Sequence, residues 1–359
     1  MVVLGRDAET DGETVDLGWF RAPDGSRGAR VELDCEFPHA ALVVGKRGYG
    51  KSYTLGVLAE GLARAAGVAP VLADPMGVFG TLENGTVPAT VIDEPRVAPA
   101  SIPPDAWCSM LGLAPDSGAG ALLWRAATGA TSLEMMYDRV AELDCDPVAR
   151  RAVGNHLALV ESWDVFDPAG LDAATLGTGE VTVLDCSGLP EPAMNAVVRG
   201  VATVLYEARI GAQTRGRHGV RSDPPVSRLP WLLVDEAHVF FDGVAAPALR
   251  TLLTRGRQPG VSLVTATQRP DVLPDVAVSQ SDLVVAHRLT DRADRAALER
   301  VVPVEAQEPS STMPLRPGEV TVVDDAAESV HAVCVRARET PHGGSSPRAS
   351  DVSTDRYLK

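Results

Sequence analysis

Apolar residues in this chain fall into short continuous runs separated by glycine, aspartate and segments of helical period. Ala40–Val44 is an apolar run that stops at Gly45, and residues 52–66 repeat apolar side chains at helical spacing through Leu55, Leu58, Leu62 and Ala65. A second run, 68–73, ends at Asp74-Pro75. Strand, loop, helix, strand is the opening of a parallel α/β sheet. Further strands are expected at Val181–Asp185, 231–234, 261–266 and Leu283–Ala286, with helices over 193–210 and 292–301. Two late runs, 319–323 and 330–335, predict a closing β-hairpin.

These patterns divide the chain. Residues 1–37 form an acidic lead-in whose Pro23-Asp24-Gly25 predicts a short hairpin. The α/β core is expected over 38–104 and 171–338, with the proline-rich stretch 88–104 as a linker. Residues 105–170 carry helical patches at 121–127, 133–143 and 147–163 without strand signals, and read as a helical insert. The stretch 339–359, rich in Gly, Ser, Pro and Asp, is expected to be a disordered tail. No internal repeat is visible.

Composition adds a habitat and removes several classes. Of 359 residues, 33 are basic and 48 acidic, giving −15, and only three are lysine: Lys46, Lys51 and Lys359. Dense carboxylates with scarce lysine point to a protein kept soluble in the salty cytoplasm of an extreme halophile, and a GC-rich genome, which also replaces lysine by arginine, is the other explanation of the lysine count. The N-terminus is acidic and does not resemble a signal peptide, and no apolar run approaches the ~18 residues of a membrane span. Five scattered cysteines without a CxxC suit a reducing compartment, and seven dispersed histidines form no metal-binding spacing, so each is expected to be structural.

The candidate chemistry begins at Gly45-Lys46-Arg47-Gly48-Tyr49-Gly50-Lys51-Ser52, a GxxxxGK[ST] loop between an apolar strand and a helix. Glycines let the loop wrap so that backbone N–H groups and the helix N-terminus face phosphates. Lys51 would reach the β- and γ-phosphates of ATP, and the Ser52 hydroxyl would ligate Mg²⁺. The lysine count sharpens this: two of three lysines sit in the loop, and Lys51 occupies a place where a compact ammonium fits and a planar guanidinium does not. Next, Trp231-Leu232-Leu233-Val234-Asp235-Glu236 is an apolar strand ending in two acids, the form of a Walker B element. Asp235 would serve the metal, and Glu236 would polarise the attacking water. With the metal-binding strand beside the loop strand, Gln268, ending the run Ser262–Thr267, would lie near the γ-phosphate.

Taken together, these residues resemble the HerA/FtsK superfamily of DNA-pumping ATPases, and HerA-like proteins in particular. The resemblance rests on the loop and its continuation Tyr53-Thr54, on Asp235-Glu236-Ala237-His238, on Arg255-Gly256-Arg257-Gln258-Pro259-Gly260-Val261, and on Thr267-Gln268-Arg269-Pro270. It spans roughly residues 38–336. It implies an α/β, RecA-like P-loop NTPase core of the ASCE type with a mostly parallel sheet, Tyr53 at the nucleotide, a homohexameric ring threading duplex DNA, and an arginine finger, Arg257, given to the neighbour's ATP. Three positions depart from the family. Fewer than 45 residues precede the loop, too few for the family's nuclease-docking barrel; Val78 follows Asp74-Pro75-Met76-Gly77 where an acid is usual; and Arg255 replaces a glutamate.

Positive charge concentrates in two islands. Arg209, Arg215, Arg217, Arg221 and Arg228 share one stretch expected to be a mobile loop, and Arg250, Arg255, Arg257 and Arg269 another. Of the first, Arg215, Arg217 and Arg221 are candidates for phosphate contacts with DNA. The sequence therefore predicts a cytoplasmic, Mg²⁺-dependent DNA translocase or helicase, without membrane insertion. Two alternatives stand beside it: a packaging or conjugation motor working with a portal or channel protein, and a regulatory NTPase switch that moves no DNA.

Overall fold

The computed structural model describes residues 1–6, 10–217, 227–290, 294, 296, 314 and 316–344, with side chains of 215–217 excepted. The strands are β1 (Val2–Leu4), β2 (Thr14–Arg21), β3 (Arg27–Asp34), β4 (Ala40–Val44), β5 (Val68–Asp74), β6 (Ala89–Ile92), β7 (Val181–Asp185), β8 (Leu229–Val234), β9 (Ser262–Thr267), β10 (Leu283–Ala286), β11 (Glu319–Asp324) and β12 (Ser329–Val335). Between them run α1 (Lys51–Leu62), α2 (Pro104–Met110), α3 (Gly118–Ala127), α4 (Leu133–Glu142), α5 (Pro147–Glu161), α6 (Ala173–Leu176), α7 (Glu191–Arg217), α8 (His238–Phe241), α9 (Ala246–Arg255) and α10 (Asp275–Ser279).

All twelve strands join one sheet in the order β1-β3-β2-β12-β11-β10-β4-β9-β8-β5-β7-β6. From β10 to β6 every pairing is parallel; the β11/β12 and β2/β3 hairpins extend the sheet with antiparallel pairs. The pleat explains the continuous apolar runs, because both faces of the parallel part are covered. Leu42 and Val44 point into a core closed by α7, α8, α9 and α10, whereas Ala41 and Val43 point into a second core closed by α1. At the centre, β4 leads away on one side to β5, while β9 crosses to β10 on the other. Chains that depart in opposite directions leave a crevice at the strands' carboxyl ends, where α/β sheets bind ligands.

Helices α2 to α5 lie within the stretch read as an insert and carry a core of their own around Trp107, Leu123, Met136, Val153 and Leu157. Their caps are written locally: Ser117, Ser132 and Asp146 each accept a backbone N–H in the first turn of the helix that follows. The stretch expected to be a linker contains β6, a half-buried edge strand parallel to β7. Four residues beside a proline are too short for the alternation to register.

Two further expectations are corrected. Residues 209–217 belong to α7 rather than to a loop, and Arg209 donates from Nε to the Pro259 carbonyl at 2.8 Å. The tail expected from residue 339 begins as packed chain: Thr340 is buried against Glu60 of α1. The helix expected at 292–301 and Arg221 lie outside the described residues, as do the side chains of Arg215 and Arg217.

Candidate nucleotide site

The loop sits on the crevice because β4 carries it there. Gly45 passes so close to His287, just beyond β10, that a Cβ at 45 would lie 2.4 Å from the histidine Cβ. Lys46 N donates to the Arg288 carbonyl at 2.9 Å, so the loop is tied to the end of the neighbouring strand. Gly50 caps α1 without a side-chain hydrogen bond, and the first turn holds no acid. The unpaired N–H groups and the positive end of the helix are therefore free to meet an anion.

Across the crevice stand the acids. Ser52 Oγ donates to Asp235 Oδ2 at 2.7 Å, and Glu236 N donates to Asp235 Oδ1 at 3.0 Å. Asp235 is almost fully buried, and burial raises its pKa. Glu236, just past the end of β8, holds a left-handed backbone, φ 46°, a conformation that costs a non-glycine residue energy and is concentrated at functional sites. Its pKa is raised by burial, against which the charges of Lys51 and Arg47 work. Its Oε2 is buried without a hydrogen-bond partner. Lys51 is buried beside both acids, and burial lowers its pKa. Asp74, pushed up to about 6 by burial, is spent on the backbone, accepting from Phe79 N at 2.8 Å and Met76 N at 3.1 Å.

The donor set fits Mg²⁺. One hydroxyl and one carboxylate converge at 2.7 Å, both hard oxygens, and no cluster of three or more His, Cys, Asp or Glu occurs among the described residues. Mg²⁺ takes such a site because it retains waters and completes its shell with phosphate oxygens rather than an all-protein cage.

An open cleft of about 760 Å³ runs over the loop, lined by Arg47, Gly48, Gly50, Lys51, Ser52 and Tyr53 on one side and by Glu236 and Met76 on another. No protein-family model matches the sequence. Over 105 residues it is 31% identical to the DNA packaging ATPase P9 of Enterobacteria phage PRD1, an alignment covering 26% of this chain and 45% of that protein. The chain thus spans less than half of that relative. VirB4 of Thermoanaerobacter pseudethanolicus superposes with a TM-score of 0.61 at 15% identity, over 91% of this chain and 98% of VirB4. ATPases 2 and 3 of EssC from Geobacillus thermodenitrificans give 0.51 at 11% identity, over 94% of this chain and 47% of theirs. The fold is that of a RecA-like P-loop NTPase.

Within that fold the strand order differs from the one assumed for Gln268. Strand β9 lies between β4 and β8, so the loop strand and the acidic strand are not neighbours. The half-buried Gln268, just past the end of β9, therefore stands between the loop and Asp235 in strand order. Arg257 is elsewhere. It is exposed and borders a pocket with Pro38, His39 and Ala40, at the amino ends of the strands and so at the opposite end of the sheet from the loop.

Two histidines expected to be bystanders belong to the site. His287 is buried under the loop with Nε2 3.0 Å from Thr54 Oγ1, and burial together with the Lys51 charge pushes its pKa down to about 3, so it is a neutral prop. His238 Nδ1 is hydrogen-bonded to Thr267 Oγ1 at the end of β9, at 3.3 Å, and stands 3.4 Å from Glu236 Oε2 without a hydrogen bond to it; burial lowers its pKa. The sequence signal for both was their place just beyond an apolar strand.

Proposed function

We propose that this chain is a Mg²⁺-dependent ATPase that couples hydrolysis to movement along duplex DNA. The observation that carries the ATPase reading is the 2.7 Å contact of Ser52 with Asp235, beside a buried Lys51 and a Glu236 carboxylate that has no hydrogen-bond partner at one oxygen. Ser52 and Asp235 would hold the metal, which when bound neutralises charge on the β- and γ-phosphate oxygens. Lys51 and the free N–H groups of the first turn of α1 hold the phosphates in place. Glu236, made more basic by burial and lining the cleft, takes a proton from the attacking water.

Two features support an assembled motor. Arg257 stands at the far end of the sheet from its own loop, so a nucleotide it serves belongs to a second copy of the chain. A homohexameric ring of the HerA/FtsK kind fits this, with Arg215, Arg217 and Arg221 as DNA-facing candidates. The partial likeness to packaging ATPase P9 favours a packaging motor of a virus or mobile element, working with a portal protein, over a HerA-type repair helicase with a nuclease partner. No helix among the described residues is long and apolar enough to cross a membrane. We place the chain in the cytoplasm of a halophile on its acid-rich, lysine-poor composition.

The test is the ATPase rate with and without linear duplex DNA, in high KCl, on a size-fractionated sample. Stimulation by DNA in a ring-sized fraction is expected. A rate indifferent to DNA, from a monomer, would instead identify a regulatory switch.

A further inference from the structure

The phosphate-binding loop and the acids account for only part of the cleft. Its remaining walls are Arg27 of β3, Val78, Pro317 and Gly318 ahead of β11, residues 335–337 at and just past the end of β12, and His342 and Gly344. These last residues come from the segment that follows β12, which crosses the outer surface of α1.

That segment is fastened with unusual thoroughness. Glu60, fully buried in α1, accepts from Arg336 Nη1 at 2.7 Å, from Glu339 N at 3.1 Å, and from Thr340 N at 3.0 Å and Oγ1 at 2.6 Å. Burial alone would raise the Glu60 pKa, but these bonds more than offset it and keep the carboxylate charged. Arg338 lies so close over α1 that a Cβ on Gly56 would sit 2.6 Å from its guanidinium carbon. Further on, the Pro341 carbonyl accepts from Thr81 Oγ1 at 2.7 Å. A segment held this firmly presents its side chains to the cleft as a fixed surface.

To the cleft it presents Arg336, Ala337, His342 and Gly344, and its one aromatic ring there meets a ring of α1. The Tyr53 ring, one residue beyond the metal-binding Ser52, is pinned by its hydroxyl, which accepts from Arg338 N at 2.7 Å. The His342 ring packs against it edge-on, with centroids 5.4 Å apart and planes at 73°. His342 Nδ1 faces Arg338 Nη1 at 3.3 Å, and burial followed by the Arg338 charge lowers its pKa, leaving a neutral ring beside the cleft. Tyr53 and His342 line the same cleft as Lys51, Ser52 and Glu236, within which the rest of a nucleoside triphosphate held by Lys51 and Ser52 must find its place.

We infer that Tyr53 and the segment 336–344 form a nucleoside subsite, in which the base of a nucleoside triphosphate packs on the Tyr53 and His342 rings. The inference rests on the nucleotide reading above and adds to it the part of the substrate that the loop does not read. Bases stack on histidine and tyrosine faces without sequence preference, so the subsite recognises that a nucleoside is present.

The test compares two probes on the full chain in Mg²⁺: ATP, and inorganic tripolyphosphate, which carries the phosphates alone. Their dissociation constants are measured by calorimetry for the wild type, His342→Ala and His342→Phe. The wild type is expected to bind ATP more tightly than tripolyphosphate. His342→Ala should lose about ten-fold in ATP affinity, the scale of one base-stacking contact, with tripolyphosphate unchanged, and His342→Phe should restore ATP binding. Unchanged ATP affinity in His342→Ala overturns the subsite. So does an equal loss for both probes, which would make His342 a support of the loop. If the wild type binds ATP no better than tripolyphosphate, the subsite fails while the phosphate site stands. If it binds neither, the nucleotide reading itself fails and the subsite falls with it.

Discussion

Ser52 Oγ and Asp235 Oδ2, 183 residues apart in sequence, meet at 2.7 Å across the crevice between α1 and β8. Both groups offer oxygen, and neither side of the pair is spent elsewhere in a way that would prevent a cation from entering. Ser52→Ala and Asp235→Asn are therefore each expected to raise the Mg²⁺ concentration needed for half-maximal ATP turnover by at least about 10-fold, as loss of a metal-site oxygen does. Magnesium titrations of the ATPase rate check this; a requirement for Mg²⁺ that neither substitution shifts would place the metal elsewhere.

Arg257 and the loop stand at opposite ends of the same sheet. Arg257→Ala should bind ATP normally and fail to turn it over. Mixed with Glu236→Gln, it should regain part of the activity that neither variant has alone, since a mixed ring contains interfaces with an intact Glu236 from one copy and an intact Arg257 from the next. Failure of the mixture to exceed its components would argue that the arginine does not act between subunits.

The contiguous parts of the site were legible in the sequence because their chemistry is local. The loop, its helix and the paired acids each occupy a few successive residues, and Lys51 stood out against a chain with three lysines. What could not be read was contact across long separations. Thr54 meets His287 over 233 residues, and Glu60 meets Thr340 over 280, so neither partner predicts the other. Strand order was equally hidden: β9 and β8 share one apolar pattern, and only the folded sheet reveals which lies next to β4. The tail looked disordered because its composition is polar, whereas a buried carboxylate in α1 holds its first residues down.

His39 is buried between two carboxylates, Nε2 2.9 Å from Asp34 and Nδ1 3.0 Å from Asp282, with Arg6 also bound to Asp34 and the Trp231 ring packed alongside. Burial would lower its pKa, but the carboxylates outweigh it and raise the value from 6.5 to about 9. A raised folded-state pKa contributes stability that is whole below pH 6.5 and lost as pH rises through 9. Unfolding free energy should thus fall by about 3 kcal/mol over that window, and His39→Gln should flatten the dependence. Denaturant unfolding at stepped pH measures both. A wild-type curve flat from pH 6.5 to 9.5 would contradict the charged cluster.

Glu236 must be ionised to act as a base, and burial holds its pKa above the ordinary 4.5. Turnover should accordingly fall as pH drops through that raised value, with an acid limb higher than an exposed glutamate would give. Arg47 opposes the rise, so Arg47→Gln should move the limb to still higher pH. A pH–rate profile of the two proteins under saturating ATP decides it; a limb that stays put, or moves down, would remove Glu236 as its source.

The central claim is that Glu236 performs the hydrolytic step at a site built by Lys51, Ser52 and Asp235. Its most direct measurement is single-turnover hydrolysis of ATP by Glu236→Gln, beside ATP binding by the same protein. The amide keeps the shape and loses the base, so binding should remain within a few-fold of wild type while the hydrolysis rate falls by about 100-fold or more. Normal hydrolysis by Glu236→Gln would contradict the account.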